Sequence, residues 1–386
     1  MRQGYASLAF VMVLVFVTAC AALAAHAIGV ADTRNFAWDW NVAQARLAAD
    51  TGIERVLPFL LADPAWVDGS VAVGPVGDRA RVESVRVDRA GEIIRLSSVG
   101  ISGQVRKTAW ARVRAGVVPL VGSYGGGVKS LGGAALDLSG NATVDSNLLV
   151  RGGLNLSGSS QVGVPARPRH VYVEGDAWSK KQGTVCGEAF ATGSVSPGMA
   201  TEGEHPGWVP PEPLPQAGEI AALVELGRLQ AELLEAAGRG THVFEGDRVF
   251  TAADLASMSG TYYVGGTAVL TGGSVVSAVA IVAGGNVRVL GDLDAPSVCL
   301  LAARNVSASN SRRVRVAVVA AAGDAGWSGT GGGHGSFVME YGAMVASSLN
   351  GNFLRGSTLL RQDGTITFDA VAGPVRTFEI LERGGD

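Results

Sequence analysis

Charged residues are scarce in this chain, 17% of 386, and their signs nearly cancel at a net charge of −3. No basic field is present to draw nucleic acid, and a nucleic-acid partner is not expected. Aromatic residues are few, at 6%. There are three cysteines, Cys20, Cys186 and Cys299, and no C-x-x-C, so a structural zinc site has no support. Cys186 and Cys299 could form one disulfide outside a reducing compartment; two unrelated buried thiols account for them equally well. The histidines, His26, His170, His205, His242 and His334, show no H-x-x-x-H spacing. Neither a G-x-S-x-G elbow nor a phosphate-binding loop occurs. No metal, cofactor or active site is expected, and the chain reads as non-enzymatic. The best carboxylates for sugar-cleaving chemistry on a repeat surface would be Asp137, Asp145, Asp292 and Asp294. Asp292 and Asp294 stand two apart, where a solvated turn is the commoner outcome.

Glycine, by contrast, is abundant, with 55 residues, but no G-X-Y period exists and collagen is excluded. The length suits two or three structural units.

Residues 5–31 contain no Asp, Glu, Lys or Arg. About 20 apolar residues suffice to cross a bilayer as a helix, so this run is long enough. Only residues 1–4 precede it, carrying Arg2, and basic residues stay on the cytoplasmic side. A single-pass anchor with a cytoplasmic N-terminus and an extracytoplasmic bulk follows. An ordinary signal peptide would have a shorter apolar core. The Val17-Thr18-Ala19-Cys20 segment offers a lipobox alternative with lipidation at Cys20, though residues 21–31 stay apolar where a tether would be polar.

Residues 32–62 continue a helical pattern. Val42, Ala45, Ala49, Ile53, Val56 and Leu60 recur at spacings of three or four. Gly52 and Pro58 should weaken or bend the helix, and Asp63-Pro64 should stop it. Residues 66–118 read as an antiparallel β-meander: Val82, Val85 and Val87; then Ile93, Ile94 and Leu96; then Ala109, Ala111, Val113 and Ala115 alternating with Arg112 and Arg114.

From residue 119 an internal repeat takes over. Leu136-Asp137-Leu138-Ser139-Gly140 recurs as Leu154-Asn155-Leu156-Ser157-Gly158, and Val150-Arg151-Gly152 is echoed by Val173-Glu174-Gly175. Later, Val282-Ala283, Leu301-Ala302, Val319-Ala320 and Val345-Ala346 mark a returning period, and Gly285-Asn286-Val287 matches Arg304-Asn305-Val306. Short apolar strands at a period near 18–20, with Gly and Asn at the corners, predict a β-solenoid over 119–386. The competing reading is a β-sandwich with irregular strands. Residues 194–240 interrupt the repeat with a Pro-rich loop and a helix, in which Ile220, Leu223, Val224, Leu226, Leu229, Leu233 and Leu234 trace one stripe. Such a helix would pack across a solenoid face or cap an end. The fold class expected is mainly β, after an N-terminal transmembrane helix and its amphipathic extension.

The short basic head ending in Gly4, followed by Tyr5 and the apolar run, resembles a prepilin-like leader. That resemblance implies cleavage between Gly4 and Tyr5 by a prepilin peptidase, with the helix kept on the mature protein. Ala9 stands at the fifth mature position, where many major pilins carry Glu. Residues 44–55, Q-A-R-L-A-A-D-T-G-I-E-R, and the strand pair from Ile93 to Val113 resemble PilX-type pilus assembly proteins and minor pilins. The Pro-rich loop, helix and G-T-Y-Y-V-G-G strand resemble an arrangement with bactofilin-like, polymer-forming repeats. The resemblance implies a structural role in a type IV pilus or secretion pseudopilus, with partners in the membrane and among pilus subunits. A membrane-tethered polymer-forming scaffold is the structural rival, and a carbohydrate-active β-helix the enzymatic one. Surface carbohydrate and self-association are the remaining partners the pattern suggests.

Overall fold

The computed structural model describes residues 3–90, 92–328, 337–349, 358–366 and 371–386. It is mainly β, with a long N-terminal apolar helix followed by a sheet-rich body.

The apolar run and its amphipathic extension form one unbroken helix, Gln3–Ala62. At 1.5 Å per residue it is about 90 Å long. From Val15 to Trp40 the described side chains are exposed, including Phe16, Leu23, Ile28, Phe36, Trp38 and Trp40. From Ala45 onward one face is buried: Ala45, Ala48, Ala49, Ile53, Val56 and Leu60. Pro58 lies inside the helix without ending it. The stop comes at Asp63, whose carboxylate accepts the Ala65 N–H at 2.9 Å.

The buried half of the helix packs on a five-stranded antiparallel sheet. Its neighbours run Gly74–Val76, Ala80–Ala90, Ile93–Ser102, Val105–Val117 and Arg376–Gly385. The expected alternation holds: Ile94, Leu96, Ala109, Ala111 and Val113 face the helix and are buried. Small residues let the two layers touch. A Cβ on Gly100 would lie 2.1 Å from the Ala45 carbonyl oxygen, and one on Gly52 would lie 2.1 Å from Ser98 Oγ. Gly52, which weakens the helix as an isolated segment, is therefore what its docking requires.

The fifth strand corrects the expected boundary. Residues 119–386 do not all belong to the repeat, because Arg376–Gly385 returns to pair with Val105–Val117. The repeat is thus an insertion between two neighbouring strands. Its entry and exit adjoin: the Val118 N–H donates to the Val375 carbonyl at 2.9 Å. The returning strand also grips the helix, with Arg383 contacting Asp50 at 3.2 Å and Glu54 at 2.8 Å.

The insertion is a parallel β-solenoid, but its coils are not stacked in chain order. One face runs Val243–Phe244, Gly260–Val264, Val279–Ala283, Val287–Ala302, Arg313–Ser328 and Phe337–Leu349. It continues into Gly127–Ser130, then Leu148–Val150, Val171–Val173, Glu188–Ala191 and Gly203–Pro206. The chain therefore enters mid-stack, winds to one end, crosses back, and winds from the other end to the middle. The helix Ala217–Ala236 makes the crossing along this face. Its 20 residues span about 30 Å, and the six strands it lies against span about 24 Å at β-spacing. Gly227 lets it sit close, since a Cβ there would meet Val282 at 2.7 Å.

The covered face explains why these strands are apolar at every position. Val279, Ile281 and Ala283 point into the solenoid core, while Ala280 and Val282 meet the crossing helix. It also corrects one register. Val282 pairs with Leu301, which pairs with Ala320 and not Val319; Val319 lies opposite Leu300, inside the core. A one-residue slip exchanges the two faces of a strand, and here both faces are apolar, so composition does not reveal it.

At one corner, three successive coils are tied together through asparagine side-chain oxygens. Asn286 Oδ1 accepts the Asn305 N–H at 3.2 Å, and Asn305 Oδ1 accepts the Asp324 N–H at 2.8 Å. The repeated Gly-Asn-Val and Arg-Asn-Val triplets are this ladder.

Replacing Gly100 with Val should cost about 1–3 kcal/mol, because backbone rather than a flexible side chain must move. Chemical denaturation of the full chain in detergent checks this, against Gly218→Ala, where open space surrounds the new methyl.

Candidate functional site

Three places on the molecule carry unusual chemistry: the seam between the two solenoid blocks, the far end of the N-terminal block, and the exposed half of the helix.

At the seam, a second row of strands presents one residue per coil in register: Asp294, Arg315, Glu340, Arg361 and Asp145. The signs alternate along the whole row. Arg315 pairs with Asp294 at 3.4 Å and with Asp363 at 2.7 Å. Glu340 takes Arg313 at 2.5 Å and Arg361 at 3.4 Å. Asp145, 1% exposed, is met by Arg167 at 2.6 Å, Arg169 at 3.5 Å and Arg361 at 3.8 Å. The last of these contacts joins residues 216 positions apart. Beneath it, the Tyr341 hydroxyl lies 3.0 Å from Ser146 Oγ. Burial pushes the Tyr341 phenol well above its ordinary range.

Lys129 sits at the same level, where the chain enters the stack. It is fully buried and donates to the Leu120 and Val121 carbonyls at 2.9 and 2.6 Å. Burial pushes its ammonium down to about 7, and Glu212 offsets only part of that.

At the far end of the N-terminal block, aromatic rings stack on consecutive coils. Tyr172 lies on Phe190 at 5.3 Å and Phe190 on His205 at 4.5 Å, both pairs within 10° of parallel. Trp208 leans on Tyr172 and Phe190 at 5.5 and 5.8 Å, and Tyr124 closes the other side. Glu188 stands beside the stack, 3.3 Å from His205 Nε2 and 3.5 Å from His170 Nδ1. His205, the last ring, is exposed. The ledge can stack one flat group and accept hydrogen bonds through Glu188.

The residues singled out from sequence fall in separate places. Gly4 and Tyr5 lie in the first turns of the helix; their side chains are outside the described residues. Cys20 is an exposed thiol on the apolar half of the helix, and Cys186 and Cys299 are both buried and free. Of the two readings open for this pair, the structure has two separate buried thiols. Cys299 points toward the crossing-helix side, in a strand beside Val279–Ala283, whereas Cys186 follows Thr184–Val185 at the other end of the stack. Burial raises both thiols above their ordinary range, so neither is an activated nucleophile.

The four carboxylates do not converge. Asp137 accepts from Asn155 at 2.7 Å, and Asp145 and Asp294 belong to the charge row. Asp292 accepts the Arg312 and Arg313 N–H groups at 2.5 and 3.0 Å. These backbone donors hold its carboxyl below the usual range, opposite to what a general acid needs. Among the described residues, no three of His, Cys, Asp and Glu gather closely enough to hold a metal ion. His26 is exposed on the helix. His242 is buried, with Nδ1 2.8 Å from the Thr261 carbonyl. His334 lies outside the described residues.

Sequence reasoning missed the charge row and the ledge. Part of each signal was present: Asp294, Arg315, Glu340 and Arg361 alternate in sign at near-repeat spacing, as Tyr172 and Phe190 repeat an aromatic ring. Asp145 carried no such signal, because its neighbours on the row belong to a block far along the chain.

No family model matches the chain, and no curated protein matches it. Among solved structures, it is similar to the competence-associated pilin ComZ from Thermus thermophilus, at 12% identity and a TM-score of 0.36, over 90% of this chain and 97% of that one.

Removing the charge on Asp145 leaves three arginines around a buried neutral group. Asp145→Asn should cost about 3–5 kcal/mol by denaturant unfolding, and Asp137→Asn, at an exposed contact, less than about 1 kcal/mol. Lys129 supplies a pH dependence. Between about 7 and its ordinary value of 10.5 the unfolded chain holds a proton on Lys129 that the folded chain has released. Stability should therefore rise with pH across that window, and Lys129→Met should flatten the rise in thermal melts.

Proposed function

We propose that this chain is a non-enzymatic, membrane-anchored, pilin-like subunit that carries its β-solenoid outside the cytoplasm. The observation behind this reading is the N-terminal helix. Its apolar half is uncovered, and it continues without interruption into a half clamped to an antiparallel sheet. An oily helical half with no protein against it calls for lipid or for neighbouring helices. The membrane supplies the first, and a helical bundle of pilus or pseudopilus subunits the second. Exchange between the two is the mechanism proposed for assembly, with Gly4 and Tyr5 as the processing site and the N-terminus cytoplasmic. Ala9 favours a minor or assembly role over that of a major filament subunit.

The polymer-forming rival is less well supported by the solenoid ends. The terminal strand Gly203–Pro206 ends in a residue that cannot donate, and a Pro-rich stretch follows it. The helix Ala252–Ser257 packs beside the coils at the other end. Both features oppose end-to-end pairing. The aromatic ledge around His205 is the surface we assign to contact with surface carbohydrate or another partner.

The full chain should stay with membranes through an alkaline carbonate wash, and residues 33–386 alone should be released. Gly4→Leu should block any shortening of the N-terminus, read by mass spectrometry of the mature chain. Full-length chain released by the wash would sink the anchor, and unchanged processing in the Gly4 variant would sink the leader.

A further inference from the structure

The antiparallel sheet has a second face, turned away from the long helix. Along its strands successive side chains alternate between the two faces. Leu96, Ala111 and Val113 meet the helix, so Arg95, Trp110 and Arg112 stand on the other side. There a groove of about 350 Å³ is lined by Asp88, Arg95, Ser97, Trp110, Arg112 and Glu382. Sites for small ligands span about 300–1,000 Å³.

Four of these residues form one row across the sheet. Asp88 stands opposite Arg95, Arg95 opposite Arg112, and Arg112 opposite Glu382. Two like charges thus face each other at the centre, an arrangement that costs stability unless an anion lies between them. Asp88 is engaged by Arg86 at 2.8 Å and Glu382 by Arg112 at 3.0 Å. Arg95 is exposed and has neither an ion pair nor a hydrogen bond among the described residues. Arg112 Nε also lacks an acceptor. Once the two carboxylates are paired, the row is short of one negative charge.

Beside the row, the Trp110 indole covers Gly384. A Cβ at Gly384 would stand 2.7 to 3.0 Å from three of the indole atoms, so the ring lies on bare backbone there and also lines the groove. Ser97, directly opposite Trp110, adds a hydroxyl.

We propose that this groove binds one residue of an acidic polysaccharide, a hexuronate. Its carboxylate supplies the missing charge between Arg95 and Arg112, through guanidinium–carboxylate hydrogen bonds. The apolar face of the sugar ring lies on Trp110, and its hydroxyls donate to Asp88 and Glu382. Those two carboxylates disfavour a dianionic phosphate or sulfate, which would bring surplus negative charge against them. A neutral sugar would leave the facing arginines uncompensated. The groove belongs to the helix–sheet unit and the ledge around His205 to the solenoid, so this is a second site. It goes beyond the pilin-like reading and does not depend on the anchor.

The test is titration calorimetry on the full chain in detergent, with trigalacturonate, its methyl ester and sodium sulfate as probes. The acid should bind about tenfold or more tighter than the ester. Arg95→Gln should remove that preference without changing the thermal melt, since Arg95 makes no polar contact of its own among the described residues. Arg95→Lys should keep part of it, and Trp110→Leu should weaken acid and ester alike. No preference for the acid, or one that survives Arg95→Gln, overturns the site. Sulfate binding as tightly as trigalacturonate, or unchanged affinity in Trp110→Leu, marks a bare anion site and overturns the sugar. A preference lost in His205→Ala and kept in Arg95→Gln puts the acidic sugar on the ledge and overturns the groove.

Discussion

The body of the molecule depends on one non-covalent join, at which Phe337–Leu349 pairs in parallel with Gly127–Ser130 and Thr358–Gln362 with Thr143–Asp145. A solenoid has no core until its coils are stacked, since each coil buries its apolar residues against its neighbours. Here two stacks are made separately along the chain and become one only at this seam. Backbone pairing alone would leave the alignment of the blocks weakly specified. The alternating charge row and the Tyr341–Ser146 contact make it unique, because a shifted join would set like charges together and strand a buried hydroxyl.

The same join explains how a large insertion leaves the sheet intact. Entering and leaving at mid-stack brings both chain ends to one place, next to the strands they connect. The crossing helix is the cost of that arrangement, and it returns buried area by covering one face of the coils. The helix–sheet unit and the solenoid are then fastened together. The Thr261 hydroxyl donates to the Ala62 carbonyl at 2.9 Å, Arg376 donates to the Leu60 carbonyl at 3.1 Å, and Arg239 lies over the Trp66 ring at 4.3 Å. A long helix ending in such a fixed block transmits position along its length.

Much of this was legible in the residues. The length and apolarity of residues 5–31, the three-and-four spacing of Ala45, Ala49, Ile53, Val56 and Leu60, and the alternation through Ala109, Ala111 and Val113 each reflect a period set by backbone geometry. The Asn286 and Asn305 repeat was legible for the same reason. The site was far less so. The aromatic ledge needed knowledge of which coil follows which.

Local order in the chain determined the elements: where a helix runs, where a strand alternates, and that the repeat is a solenoid. Those properties depend on neighbours a few residues or one coil apart, and their physics is written in spacing. Only the tertiary structure decided that residue 343 is followed in space by residue 127, that the last strand closes the first sheet, and that Cys186 and Cys299 stay apart. Each of these is a choice among partners far along the chain. Many pairings of Val, Ala and Leu strands satisfy the same apolar pattern, and only simultaneous packing of the whole body distinguishes them.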